Sequence, residues 1–202
     1  MPSVRKSYDE ELLQLDTLLA RMGHEAGAAI ESALTALRND DIELARSVVA
    51  RDSQIDASEH EIEHRCLQLL LRQQPVAGDL RHISTAMKVV TDIERMGDHA
   101  SDIAEIIPHL VTVRKERDPA VSQAIAMGRK AYQMIIDAMD ALTAEDEIAA
   151  RRVIAADDAV DYDFNAIKHT LAQEIAADPA KVDAALDLSL IHISEPTRHL
   201  RI

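Results

Sequence analysis

Residues 91–105 read TDIERMGDHASDIAE, and this stretch decides how the chain folds. Glu94, Asp98 and Asp102 follow one another at every fourth position of a predicted helix, so three carboxylates lie along one edge of it. Like charges at this spacing repel by roughly 0.2–0.5 kcal/mol per pair, and a cation, a basic partner or solvent is expected to offset the repulsion. Apolar and small residues recur beside that edge at the spacing of a buried helical face; they are Val90, Ile93, Gly97, Ala100, Ile103 and Ala104.

A second acidic pair lies upstream at Asp52 and Asp56, and Pro75 is the strongest helix break between the two acidic stretches. Two helices joined near Pro75 form an antiparallel hairpin, in which residues equally far from the turn lie opposite each other. Asp52 and Asp98 are each 23 residues from Pro75, and Asp56 and Glu94 are each 19 residues from it. Four carboxylates at one level predict an oxygen-ligand site for a cation. The other interpretations are a salt bridge from Asp52 to an arginine of its own helix, or a solvated acidic face.

The composition indicates an all-α protein that is not built for nucleic acid or membranes. Among 202 residues there are 5 glycines, and aromatic residues make up 2%, as expected for long helices with an aliphatic core. The formal net charge of −14, with no basic stripe, makes nucleic acid and anionic lipid poor partners. No apolar run reaches the roughly 20 residues of a transmembrane helix, and the N-terminus lacks an apolar signal core. Cys66 is the only cysteine, so no internal disulfide is expected and the cytoplasm is the predicted location.

Breaks in the apolar periodicity predict six helices. The breaks lie at residues 39–41, at Pro75, before Pro119 and at Asp178-Pro179. The predicted helices run from about Tyr8 to Leu37, Ile42 to Arg72, Ala77 to Pro108, Pro119 to Leu142, Asp146 to Ala177, and from Lys181 onward.

The two halves of the chain are copies of each other. A shift of 105 residues aligns Met22–Asp56 with Met127–Asp161 without a gap, and 14 of the 35 positions are identical. This register predicts two tandem three-helix bundles, the first over residues 1–113 and the second over residues 114–187. Asp52 and Asp56 recur in the second half as Asp157 and Asp161, which are therefore further candidate metal ligands.

The end of the chain departs from this repeat. The copies of Glu94 and Asp98 would fall at positions 199 and 203, but position 199 is His199 and the chain stops at Ile202. Pro196 falls where a helix interior is expected, and residues 188–198, LSLIHISEPTR, resemble the translated adapter of a sequencing library. We therefore expect residues 188–202, from Leu188 on, to be a non-native tail and the sixth helix to be incomplete. The second acidic pair, Asp157 and Asp161, is then expected to lack its partners.

Three segments together resemble the PhoU family, the bacterial accessory and regulatory proteins of phosphate transport. They are QQPVA at residues 73–77, DLR at residues 79–81 and DIERMGDH at residues 92–99, and the likeness runs from about Arg5 to Asp187. The resemblance implies two three-helix bundles, often as a homodimer, with bound iron, zinc or another divalent ion such as Mn or Mg. The resemblance implies six metal ligands, to which we add the neighbouring Asp102 as a candidate, although an asparagine is common at its position in relatives. The full set is Asp52, Asp56, Glu94, Asp98, Asp102, Asp157 and Asp161.

The resemblance also implies a regulatory function and no enzyme activity. A chain of this family is expected to act in the cytoplasm as an adaptor between the ATPase of the phosphate ABC transporter and the phosphate-sensing histidine kinase. In that role it keeps the phosphate regulon off when phosphate is plentiful, and its metal orders an acidic surface for docking.

A carboxylate-bundle metalloprotein, either a metal store or a ferritin-like oxidase, is the alternative from another class. Glu61 and His64 match half of a di-iron Glu-x-x-His signature, but no second Glu-x-x-His precedes the suspected tail. His60 and His64 are therefore expected on a solvated helix face. His99 is either an additional ligand or a solvent-facing side chain, and Cys66, on an apolar face, is expected to be buried and inert.

Overall fold

A computed structural model of the chain describes residues 4–73, 75, 77–113 and 119–189. Within these residues the chain is helical and contains no strand, so the predicted all-α fold of two three-helix units is confirmed. The helices are α1 (Val4–Asn39), α2 (Ile42–Gln73), α3 (Ala77–Val113), α4 (Pro119–Thr143), α5 (Glu147–Ala177) and α6 (Val182–Ser189), with a 3₁₀ turn at Pro179–Lys181 before α6.

The turns that join α1 to α2 and α4 to α5 have the same backbone geometry, as the 105-residue repeat predicts. Asp40 and Glu145, which are equivalent in the repeat, both adopt left-handed conformations, with φ of 54° and 50°. In each turn the next residue, Asp41 or Asp146, donates its amide to a carbonyl of the preceding helix at 2.9 Å, which ends that helix in a Schellman-type cap. The side chains of the same two aspartates then accept from amides of the following helix, such as Leu44 at 2.9 Å, and cap its N-terminus.

The two units are joined where α1 crosses α4 in antiparallel fashion. A Cβ atom added at Gly27 would lie 3.2 Å from Cε2 of Tyr132, and one added at Gly23 would lie 2.9 Å from Cε of Met139. Gly27 and Tyr132 are 105 residues apart, so they occupy the same position in the two repeats. The copies have therefore diverged into a complementary pair, with no side chain on one helix and a large ring on the other.

The two units differ in their third helix. In the first unit α3 has 37 residues and packs against both α1 and α2, whereas α6 has 8 residues within the described part of the chain. Leu188, the first residue of the suspected tail, is buried in α6, while residues 190–202 of that tail lie outside the described residues. The boundary at residue 188 stays a prediction. Among the described residues no helix is both long and apolar enough to cross a membrane.

The predicted end of the third helix at Pro108 is wrong. Pro108 lies inside α3, which continues to Val113. A proline in a helix interior removes one backbone hydrogen bond, and this cost is offset here by burial on both sides of it, because Ile107 and Leu110 are fully buried in the core.

Candidate metal centre

Helices α2 and α3 lie side by side and bring three carboxylates together. One side-chain oxygen each of Asp52, Asp56 and Asp98 lies within 4.8 Å of the other two. Asp52 and Asp56 are half-buried on α2, and Asp98 is exposed on α3. These are three of the four residues that counting from Pro75 placed opposite one another.

Neighbouring side chains act on the Asp52 carboxylate in opposite directions. Burial and the negative charges of Asp98 and Asp56 raise the pKa of Asp52 above its ordinary value. The hydroxyl of Ser101 donates a hydrogen bond to the Asp52 carboxylate, which favours its ionised form and acts in the opposite direction. Ser101 is itself buried, so α3 supplies Asp52 with both a like charge and a hydrogen-bond donor.

Glu94 lies one helical turn before Asp98 on α3 and belongs to the same electrostatic group, although it is outside the trio of converging oxygens. Burial, followed by the charge of Asp98 and then of Glu59 and Asp56, raises the pKa of Glu94 to about 7. A hydrogen bond from the protonated Glu94 carboxyl to Asp98 also favours the protonated form of Glu94.

Glu59 is a residue of this face that the sequence interpretation missed. Burial and the charge of Glu63 raise the pKa of Glu59, and its carboxylate forms a hydrogen bond with Thr91 of α3. The signal that would have found this pair is the count from Pro75, since Glu59 and Thr91 are each 16 residues from it.

The remaining candidate ligands are not part of the converging trio. Asp102 is exposed on α3, where its charge contributes to the raised pKa of Asp52. Nδ1 of His99 lies 3.9 Å from Oδ2 of Asp102. Asp157 and Asp161 are half-buried on α5, and within the described residues three or more potential ligands converge only in the first unit. Position 199, where a partner for this second pair was sought, lies outside the described residues.

Two arginines of the acidic helices pair with glutamates near the helix starts. Arg46 binds Glu43 at 2.7 Å on α2, and Arg151 binds Glu147 at 2.6 Å on α5. These four side chains are exposed, so each ion pair contributes little to stability. Positions 46 and 151 are equivalent in the repeat, but their glutamate partners are not, because Glu43 corresponds to Ile148 and Glu147 to Ile42.

Glu61 and His64, which match half of a di-iron signature, lie on the exposed side of α2. His60 is 79% exposed and its Nδ1 donates to the Asp56 carbonyl at 2.9 Å, while Glu61 binds Arg65 at 3.0 Å. Nε2 of His64 lies 2.6 Å from the side-chain amide of Gln68. These contacts do not favour the oxidase interpretation. Cys66 is buried, and burial raises the pKa of its thiol to about 11.

The carboxylate trio fits a cation. One oxygen from each of the three side chains lies within 4.8 Å of the other two, which is close enough for the three carboxylates to be candidate ligands of a single ion. An all-oxygen set suits Mn²⁺, Mg²⁺ or iron better than Zn²⁺, which takes mostly nitrogen and sulfur ligands. Burial first, and then the charge of neighbouring carboxylates, raises the pKa of both Asp52 and Glu94.

A family profile and several known proteins are similar to this sequence over most of its length. The profile of the family described as "PhoU domain" matches residues 19–107 and 125–197. A phosphate-specific transport system accessory protein PhoU homolog of Clostridium acetobutylicum is 38% identical over 180 residues, which are 89% of this chain and 81% of that protein. The equivalent protein of Aquifex aeolicus is 33% identical over 90% of this chain and 81% of its own length.

Solved structures are similar as well. The crystal structure of PhoU from Pseudomonas aeruginosa superposes with a TM-score of 0.91 at 28% identity, over 96% of this chain and 93% of that one. The phosphate transport system regulatory protein PhoU from Streptococcus pneumoniae gives a TM-score of 0.79 at 25% identity, over 96% and 94% of the two chains. Because the family profile and these relatives each span most of the sequence, the chain belongs to the PhoU family.

Proposed function

We propose that this chain is a regulator of phosphate uptake and of phosphate-responsive signalling, acting in the cytoplasm without catalysing a reaction. The proposal is supported by its relatives, which are named as accessory proteins of the phosphate-specific transport system. The chain acts as a homodimeric adaptor between the transporter ATPase and the phosphate-sensing histidine kinase, and it keeps the phosphate regulon off when phosphate is plentiful.

One divalent or iron ion bound by Asp52, Asp56 and Asp98 is part of this proposal. The observation that carries it is the convergence of three carboxylate oxygens between α2 and α3. Glu94 adds a ligand when it loses its proton, since only the ionised carboxylate binds a cation well. The ion neutralises the repulsion within the group and so holds α2 and α3 in the arrangement that partners recognise.

Calorimetric titration of the purified full-length chain with Mn²⁺ tests the metal site. We expect one strong site per chain, abolished by Asp98→Asn and nearly unchanged by Asp161→Asn. The second variant is the control, because it neutralises an aspartate of the second unit, where no such trio converges among the described residues. Equal loss from both substitutions contradicts the one-site proposal, and no loss from either means that the aspartates form an ordinary solvated face.

A phosphate-starvation reporter tests the regulatory role. In a host deleted for its own phosphate regulator, the chain should repress the reporter in phosphate-rich medium, and Asp98→Asn should weaken repression more than Asp161→Asn. Pull-down of the transporter ATPase and the sensor kinase by the same variants shows whether the loss lies in docking. A chain that binds Mn²⁺ but neither represses nor captures either partner would contradict the adaptor role and would favour a metal store.

A further inference from the structure

We infer that Gly97 is a positioning residue of the carboxylate group: its lack of a side chain lets Ile55 of α2 reach the backbone of α3, and this close approach sets Asp98 against Asp52 and Asp56. The inference rests on the metal site proposed above and identifies what fixes the spacing of its ligands.

The contact between Gly97 and Ile55 leaves no room for a methyl group. A Cβ atom added at Gly97 would lie 2.8 Å from Cδ1, 3.0 Å from Cγ2 and 3.5 Å from Cβ of Ile55. Both residues are buried, with Ile55 only 4% exposed. Cγ2 is attached directly to the Cβ of a β-branched residue, whose χ1 angle is restricted in a helix, so this atom cannot swing away as the end of a long side chain can.

The contact lies at the same level of the bundle as the candidate ligands. Ile55 stands between Asp52 and Asp56 on α2, and Gly97 immediately precedes Asp98 on α3. The distance between packed helix axes varies over about 8–10 Å with the size of the side chains between them. Metal–ligand distances are held within about 0.2 Å, so a change in helix separation of even 1 Å is large for a site whose ligands come from both helices.

Gly23 and Gly78 differ from Gly97 in what they face. An added Cβ at Gly23 would meet mainly the Cε, Sδ and Cγ atoms of the flexible Met139, and Gly78 has no atom within 4 Å of such a Cβ. Gly23 serves the crossing of α1 with α4, so Gly23→Ala is a matched control that adds the same methyl group at a helix contact outside the α2–α3 hairpin.

The test uses Mn²⁺ alone as the probe and four full-length variants: Gly97→Ala, Ile55→Ala, the double substitution, and Gly23→Ala. Outer-shell changes at metal sites cost about 10–100-fold in metal affinity, so Gly97→Ala is expected to weaken Mn²⁺ binding by about that factor. Ile55→Ala removes the two closest atoms, and in combination with Gly97→Ala it should bring the affinity back to within about 3-fold of the wild-type value. Gly23→Ala should bind Mn²⁺ like the wild type.

A distance measurement without any ion separates this inference from the proposed function. Spin labels on cysteines introduced at the exposed positions Ala57 and Arg95 report the separation of α2 and α3, because the native Cys66 is buried. Gly97→Ala should lengthen the distance, and the added Ile55→Ala should restore it. If the distances respond but the wild type binds no Mn²⁺, the metal proposal fails and Gly97 still positions Asp98.

Two results would overturn the inference. In the first, the wild type binds Mn²⁺, the Gly97→Ala variant binds it equally well, and the distance between the spin labels is the same in both proteins. The other is a double variant that binds more than 10-fold more weakly than Ile55→Ala alone, which can be measured even if Gly97→Ala by itself does not fold. Either result would mean that the methyl group acts only on stability and not on the arrangement of the carboxylates.

Discussion

Glu94 links the proposed metal centre to pH. Its pKa of about 7 results from burial and from the neighbouring charge of Asp98, and both effects penalise the ionised form. A cation between α2 and α3 would favour the ionised form and release the proton. Metal binding at this centre is therefore expected to become stronger as the pH rises through neutrality.

In the metal-free protein the same residue makes stability depend on pH. Between pH 4.5, the ordinary pKa of a glutamate, and about 7, the folded chain holds more protons than the unfolded chain at this site. The free energy of unfolding therefore falls as the pH rises through that window. Glu94→Gln should remove this part of the decrease, measured by urea unfolding at pH 5 and pH 8 in the presence of a chelator.

The control for that experiment is Glu105→Gln, which removes a carboxylate from the exposed part of the same helix. It should leave the difference between the two pH values close to that of the wild type. If both glutamine variants change the difference equally, the effect arises from net charge and not from the surroundings of Glu94.

Counting residues from Pro75 predicted part of this centre from sequence. Asp52 and Asp98 were expected to face each other, and their carboxylate oxygens do converge. The hydrogen bond from Ser101 to Asp52 was not predictable in this way, because it depends on how far α3 is rotated about its axis. A count of residues along each helix contains no information about that rotation.

Helix α1 makes the larger of the contacts between the two units, because it packs against α4 in addition to α2 and α3, while α3 makes a smaller contact with α6. Its contact with α4 depends on Gly27, where the ring of Tyr132 occupies the space of a side chain. Gly27→Leu should therefore destabilise the protein by about 1–3 kcal/mol through overpacking, measured by urea unfolding. Ala28→Leu places the same side chain on the exposed face of α1 and should change stability by less than about 0.5 kcal/mol. Equal effects would mean that the α1–α4 contact tolerates a bulky residue.

Helix α3 shows where a local sequence signal fails. Pro108 predicted a helix end because proline cannot donate its backbone nitrogen, yet α3 runs five residues farther, to Val113. The periodicity on both sides of the proline is continuous, with Ile103, Ile107 and Leu110 all buried. Three buried aliphatic side chains outweigh one lost hydrogen bond, since each contributes roughly 1.5–3 kcal/mol on burial.

The described residues of the two repeats share one hydrophobic core. Buried residues of α1 through α6 form a single cluster, which crosses from the first unit to the second at the α1–α4 contact. The sequence repeat aligns the two turns with each other, and in the structure the left-handed residues of these turns, Asp40 and Glu145, occupy equivalent positions. It also predicted unequal third helices, because the copies of Glu94 and Asp98 are missing from the second half of the sequence.

A shared core predicts that an ion bound in the first unit stabilises both units. An ion at 100 times its dissociation constant adds about 2.7 kcal/mol to a protein that binds it only when folded. For a chain of this size each kcal/mol raises the melting temperature by about 2–4 °C, so saturating Mn²⁺ should give a single transition shifted upward by about 5–11 °C.

Hydrogen exchange distinguishes a coupled molecule from two independent units. Because the units are expected to unfold together, Mn²⁺ should slow exchange of the amides of α5, in the second unit, as well as those of α2 and α3. Asp98→Asn should remove the effect from all three helices, since it removes the ligand that α3 contributes to the trio. Gly27→Leu should keep the protection of α2 and α3 while reducing that of α5, because it weakens the α1–α4 contact that links the units. Slower exchange confined to the first unit in the wild type would show that the core is continuous in packing but not cooperative in unfolding.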